Sequence, residues 1–278
     1  MRTRGQQLLS LTELSHAQCE VSQKHRLQSE HKFFKTRGTI TSLCEGLSMS
    51  IEKTPAKNEI LFAWFNRYAG VTIKTPSKTL VIDPVDVKPK SFQNVDAVLV
   101  THEHYDHLDQ ALISEVHKVT KCLVIADPTS ARKLRNLIPK EKLTEVQPGS
   151  EVKLDGVTVK AEKSNHPPAG TPVSFIVTSE DGVKVFHTSD SLPYPEMATV
   201  HEKEKLDVVF CTIGIAPGAS PETGANIAFL TKPKVAVPYH TGSTSDQRKF
   251  AEILKKELPK TTCLISEVGK IYEVAKRS

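Results

Sequence analysis

The stretch Thr101-His102-Glu103-His104-Tyr105-Asp106-His107-Leu108-Asp109 constrains this chain more than any other. It places three histidines and an aspartate within six residues, in the pattern H-x-H-x-D-H. The apolar run Val95 to Val100 before it predicts a buried strand. Leu108 to Val119 after it predicts a helix with Leu112, Ile113 and Val116 on one face. The ligand-type residues therefore fall in a loop at the carboxyl end of a strand, where open α/β sheets place their chemistry. Neutral imidazole and carboxylate both bind zinc and similar ions. A solvated turn often holds one histidine, but seldom four ligand-type groups at this spacing.

Such a motif behind an apolar strand resembles the signature of the metallo-β-lactamase-fold hydrolases. The resemblance implies an α/β fold, a four-layer αββα sandwich of two mixed sheets with outer helices. It also implies further ligands at later strand ends, and the chain supplies three candidates. His166 lies in Ser164-Asn165-His166-Pro167-Pro168-Ala169-Gly170, after a strand. Asp190 ends Phe186-His187-Thr188-Ser189-Asp190. His240 lies in Pro238-Tyr239-His240-Thr241-Gly242, after the apolar strand Lys234 to Val237. By resemblance, His102, His104 and His166 bind one metal, Asp106, His107 and His240 bind another, and Asp190 bridges them. Asp106 is then also the catalytic residue, orienting a hydroxide shared by the two ions. The implied cofactors are two divalent metal ions, zinc first, with manganese or iron as alternatives that suit His/Asp sets equally. His104 stands where flavodiiron relatives have glutamate, which argues against redox use.

The match covers roughly residues 59 to 274 and looks closest to the small branch of ascorbate-6-phosphate lactonase-like and uncharacterised metal-dependent hydrolases. Pro238-Tyr239-His240 and a compact chain carry that closer likeness. Two departures stand out. The family usually has Gly-Asp where this chain has Ser189-Asp190, and often a Gly-His type pair where it has Asn66-Arg67-Tyr68. Asp83 has two readings: the family's carboxylate that steadies the motif loop, or a strand-end turn residue before Pro84. His187 reads as packing or support for the site rather than as a ligand.

Domain organisation follows from the patterning. Residues 1–55 are rich in Gln, Ser, Thr, His and basic groups and lack sustained apolar periodicity. They read as a mobile N-terminal extension with at most a short helix around Leu8 to Leu14, or as an early start, with Met49 the true one. His16, His25 and His31 in this segment read as solvated. Residues 56–278 read as the hydrolase domain. Strands are expected at Ile60–Phe65, Gly70–Lys74, Thr79–Ile82, Lys121–Ala126, Leu143–Val146, Glu151–Leu154, Val157–Lys163, Thr171–Thr178, Val183–His187 and Leu206–Cys211. Two more, Thr262–Ser266 and Lys270–Val274, are expected to close the sheet. Helices are expected at Ala131–Leu137, with a basic face, at Pro221–Leu230 and at Asp246–Leu258. Asp155-Gly156 is a hairpin turn signal.

The formal charge of +5 is mild and does not by itself argue for nucleic acid. No apolar run approaches the roughly 20 residues of a membrane span, and the N-terminus lacks a signal-peptide layout. The five cysteines are widely spaced, without C-x-x-C pairs, so a cytoplasmic protein with neither disulfides nor a cysteine metal site is expected. The expected activity is hydrolysis of a lactone or other ester-type bond in a small molecule. Three alternatives remain: a phosphodiesterase or nuclease acting on RNA or DNA, β-lactam hydrolysis as a main or side activity, and a non-catalytic metal-binding protein. The sequence leaves the substrate and the oligomeric state open.

Overall fold

The computed structural model describes residues 51–277, so Met49, the histidines before it and all of the expected extension but its last five residues lie outside the described residues; within those five, Ile51 is buried with Leu61 and Ala63. Among the described residues, fourteen strands form two seven-stranded mixed sheets. The first sheet holds β1 (Glu59–Trp64), β2 (Val71–Lys74), β3 (Thr79–Ile82), β4 (Ala97–Val100), β5 (Leu123–Ala126) and β6 (Leu143–Glu145) in chain order. The last strand, β14 (Ile271–Ala275), returns to pair antiparallel with β1, Phe62 opposite Tyr272. The second sheet holds β7 (Glu151–Leu154), β8 (Val157–Lys163), β9 (Val173–Thr178), β10 (Lys184–His187), β11 (Val208–Thr212), β12 (Val235–Tyr239) and β13 (Thr262–Cys263). The two terminal strands expected to close one sheet thus close two different ones.

Each sheet repeats one pairing pattern. In the first, β14, β1, β2 and β3 pair antiparallel, then β3 to β6 pair parallel. In the second, β7 to β10 pair antiparallel, then β10 to β13 pair parallel. The parallel strands read as continuous apolar runs because both of their faces are covered. Helices α1 (Gln110–Thr120) and α2 (Pro128–Leu134) cover the outer face of the first sheet. Helices α3 (Met197–Glu204), α4 (Pro221–Thr231) and α5 (Thr244–Glu257) cover that of the second. Three apolar clusters mark the three interfaces of four layers: one between the sheets, including Phe62, Phe175, Phe210 and Tyr239, and one under each helical layer.

Side-chain caps set several helix starts. Asp109 accepts from Leu112 N and starts α1 two residues later than its apolar pattern suggests. Asp127 accepts from Thr129 N and Ser130 N at the start of α2, with Pro128 at the first helical position. That helix ends at Leu134, three residues short of the expected Leu137. Helix α3 was not expected: it buries only Met197 and Val200 and has no side-chain cap, so its apolar periodicity is weak. Asp155 and Gly156 both have positive φ, the conformation that the expected hairpin turn demands. Among the described cysteines, Cys122 and Cys211 are buried and Cys263 is partly buried, all as free thiols. No helix among the described residues is long and apolar enough to cross a membrane.

Candidate metal centre

Every sequence-selected ligand follows the carboxyl end of a strand, and the two sheets deliver them to one place. Strand β4 leads into His102, His104, Asp106 and His107, β8 into His166, β10 into Asp190 and β12 into His240. All are buried except His104, which is partly exposed. Two four-residue sets result, each offering ligand atoms within 4.8 Å of one another. His102, His104, His166 and Asp190 form one; Asp106, His107, His240 and Asp190 form the other. Asp190 is common to both.

The distances show how tight the clustering is. His102 Nε2 lies 3.0 Å from His104 Nδ1, and His166 Nε2 lies 3.2 Å from the same atom. Asp190 Oδ2 is 3.9 Å from His102 Nε2 and 3.7 Å from His166 Nε2. Its other oxygen is 3.0 Å from His107 Nε2 and 3.1 Å from His240 Nδ1. Asp106 Oδ2 is 3.8 Å from His107 Nε2 and 3.6 Å from His240 Nε2.

A layer of hydrogen bonds fixes these groups from behind. Asp83, at the end of β3, takes the supporting one of its two sequence readings. Its Oδ1 accepts from Thr101 N, and its Oδ2 accepts from Thr101 Oγ1 and from His107 Nδ1. Ser189 Oγ donates to Thr101 Oγ1, and Tyr239 OH donates to Ser189 O. Thr101 and the Ser189 hydroxyl were not singled out in the sequence. Their only signal was position, one residue before a ligand. His187 is in neither ligand set: it is fully buried, its ring packs against Tyr239 and its Nε2 donates to Ala69 O at 2.8 Å. Asp127 also accepts from Thr171 Oγ1, which ties the loop after His166 to the start of α2. From the exposed basic face of α2, Lys133 Nζ donates to Glu103 O inside the motif loop.

Three turns that carry the site are left-handed: Asp83 (φ 47°), Ser189 (φ 54°) and His240 (φ 56°). Glycine enters this region freely and other residues at a cost. The glycine usual at the position of Ser189 therefore has a backbone reason, and serine here adopts the same left-handed turn.

The electrostatics favour a cation. Burial, reinforced by His107, holds the His102 imidazole well below its usual range, and burial also lowers His166, so both present lone pairs. Burial opposes charge on His107, but Asp190 and Asp83 overcome it and raise this imidazole well above its ordinary value. Burial would likewise raise Asp190, yet the fields of His107 and His240 hold it far below the usual carboxylate range. Asp106 is also lowered, its burial being outweighed by the nearby His240 and His107 imidazoles. Buried carboxylates and lone pairs thus converge on a common space. His107 Nε2, Asp190 Oδ1 and His240 Nε2 are closed to solvent and make no hydrogen bond. Buried polar atoms left so are costly unless something else satisfies them. This donor set, nitrogen and oxygen without sulfur, fits divalent metal ions.

Comparisons with known proteins follow the same lines. Residues 66–264 match the family model described as a beta-lactamase superfamily domain. A UPF0173 protein of Pyrococcus furiosus is 31% identical over 194 residues, covering 69% of this chain and 88% of the relative. A UPF0173 metal-dependent hydrolase of Polynucleobacter asymbioticus is 30% identical over 217 residues, covering 67% and 75%. Among solved structures, Igni18, a metallo hydrolase from Ignicoccus hospitalis, superposes with a TM-score of 0.65 at 19% identity, over 77% of this chain and 98% of that one. The metallo-beta-lactamase fold protein YhfI of Bacillus subtilis superposes with a TM-score of 0.62 at 16% identity, over 78% and 100%.

Proposed function

The chain belongs to the metallo-β-lactamase superfamily, in its UPF0173 metal-dependent hydrolase family, and from that premise we propose that it hydrolyses a lactone or other ester-type bond in a small molecule. The observation that carries the reading is the pair of four-residue ligand sets joined at Asp190. His102, His104, His166 and Asp190 would hold one divalent ion, and Asp106, His107, His240 and Asp190 the other. Zinc is the first candidate, with manganese and iron suiting the same donors. Bound there, the ions would supply an activated water at neutral pH and polarise the substrate oxygen.

The chain's own residues do the remainder. Asp106 reaches the space between His107 and His240 and is held ionised there, so it would accept a hydrogen bond from the attacking water and orient it. Asp83 fixes the His107 ring with Nδ1–H outward and Nε2 inward. Burial of the ligands excludes bulk water, which strengthens each of these interactions.

A small-molecule substrate is favoured over nucleic acid by what occupies residues 191–239. Helices α3 and α4 and strands β11 and β12 fill that interval and pack into the core, leaving no inserted domain or long arm there. The test is turnover by the zinc- or manganese-loaded protein of a lactone and of an aryl phosphodiester, with Asp106→Ala as the blank. Lactone turnover well above the blank is expected. A preference for the phosphodiester would overturn the ester reading and turn attention to Arg132 and Lys133. Undiminished activity in both Asp106→Ala and His104→Ala would sink the site itself.

A further inference from the structure

The loop between β1 and β2 carries Arg67 at its exposed tip, and nearly everything around that tip is pinned. Phe65 N donates to Gly70 O, and Gly70 N donates to Asn66 Oδ1. Asn66 Nδ2 donates to Val85 O, Trp64 Nε1 to Tyr68 O, and His187 Nε2 to Ala69 O, at 2.7 to 3.0 Å. A Cβ on Gly70 would meet the Phe65 ring at 2.3 Å, so the loop closes this tightly only with glycine there. Loops usually owe their mobility to solvated backbone groups; this one has its backbone satisfied by buried partners from both sheets.

What the loop presents is a guanidinium beside the candidate metal centre. The Tyr68 ring is buried, with its centroid 6.4 Å from the His240 ring and 6.5 Å from that of Tyr105, the motif residue between His104 and Asp106. The Arg67 guanidinium lies 5.4 Å over the Tyr68 ring, and one nitrogen donates to Tyr68 OH at 3.5 Å. Stacking of this kind orients a guanidinium while leaving most of its five donors available. Among the described residues no carboxylate forms an ion pair with Arg67; Asp86 acts on it only at a distance. On the His240 side, half-exposed Ile215, whose N donates to His240 O, offers an apolar contact.

We propose that the substrate is an organic anion, and that Arg67 receives its carboxylate while the ester or lactone bond lies at the ligand sets. The proposal rests on the hydrolase reading above and adds the charge class of the substrate. A fork of N–H donors held over an aromatic ring matches a carboxylate in two parallel bonds, and charge-assisted bonds of this kind are the strong ones. Arg67 is a specificity residue in this role, and takes no part in bond cleavage.

The test uses the zinc-loaded full chain and two aryl esters that differ in charge, 4-acetoxybenzoate and phenyl acetate. The wild type favours the anionic ester in kcat/KM, and Arg67→Gln lowers the ratio of the two by about tenfold or more, mainly through KM for 4-acetoxybenzoate. Arg67→Lys keeps part of the preference, since it keeps charge but not the fork. Calorimetric titration with benzoate, against benzamide as the neutral control, reads the same contact without turnover. Benzoate affinity falls about tenfold in Arg67→Gln, with zinc stoichiometry as in the wild type. A charge preference, or a benzoate affinity, that survives Arg67→Gln unchanged overturns the proposal, as does a wild type that prefers neither charge nor benzoate. Should neither ester be cleaved while benzoate binding still depends on Arg67, the ester reading fails and the anion site stands.

Discussion

Asp83 Oδ2 lies 2.8 Å from His107 Nδ1, with both side chains fully closed to solvent. A carboxylate can only accept, so Nδ1 carries a proton toward Asp83 and Nε2 faces Asp106 and Asp190. Asp83 reaches this position from the end of β3, across the parallel pairing of β3 with β4 that brings it beside the motif loop.

Replacing Asp83 by asparagine removes the charge and leaves the His107 tautomer unspecified. Zinc affinity of the set containing His107 should fall by about 10- to 100-fold, as is usual when a ligand's outer partner is lost. Competition with a chromophoric chelator measures it. Wild-type affinity in Asp83→Asn would mean that the pair does not steer the ligand.

Asp190 serves both sets, whereas His166 serves one. After dialysis against trace zinc, Asp190→Ala should retain close to no tightly bound metal, and His166→Ala should retain that of the Asp106–His107–His240 set. Elemental analysis per folded chain gives the count. Equal loss in the two variants would contradict a shared carboxylate.

Ser189→Gly sets two effects of similar size against each other. Removing a left-handed non-glycine residue stabilises by about 1 kcal/mol, and losing the buried bond to Thr101 Oγ1 costs about 1 kcal/mol. Urea denaturation should place the variant within about 1 kcal/mol of the wild type. A larger loss would show that the serine hydroxyl holds Thr101 in a way that glycine's freedom does not offset.

His187 makes a pH-dependent contribution with a definite sign. Burial holds its pKa at about 4, against 6.5 for the free side chain. Between those values the unfolded state binds the proton and the folded state does not. Stability from this group is therefore fully present above pH 6.5 and lost as pH falls toward 4, by about 3 kcal/mol across the window. His187→Gln, compared with the wild type in urea melts at pH 7 and pH 5, should show a shallower fall. Identical slopes would show that His187 titrates in the folded protein much as it does in the unfolded one.

Glu204 contributes on the acid side. It accepts from Lys160 Nζ and Lys184 Nζ, and although burial opposes ionisation, these bonds hold its carboxyl below the ordinary value of 4.5. Its contribution is present above pH 4.5 and lost as pH falls through the lowered folded value. The cluster is partly exposed, so Glu204→Gln should cost no more than about 1 kcal/mol at pH 7 and less below pH 4. A cost that does not change with pH would rule out the ionic component.

The candidate ligands were legible because strand and loop chemistry is local. An apolar run ending in His, His, Asp and His marks itself, and His166, Asp190 and His240 each follow a recognisable strand. Helix α3 was not legible, since two buried residues and no cap leave almost no pattern. Nor was the work of Thr101 or of Ser189 Oγ, because each acts through a partner far along the chain.

By itself the sequence determined the order of strands, the turn at Asp155-Gly156 and the identity of the metal-type side chains. These depend on apolar periodicity and on residues with narrow chemical uses. Only the tertiary structure decided that β14 joins β1 rather than the second sheet and that His187 bonds a carbonyl 118 residues away. Those outcomes follow from how two sheets stack and which loops then meet. Long-range packing fixes that geometry, and no local pattern encodes it.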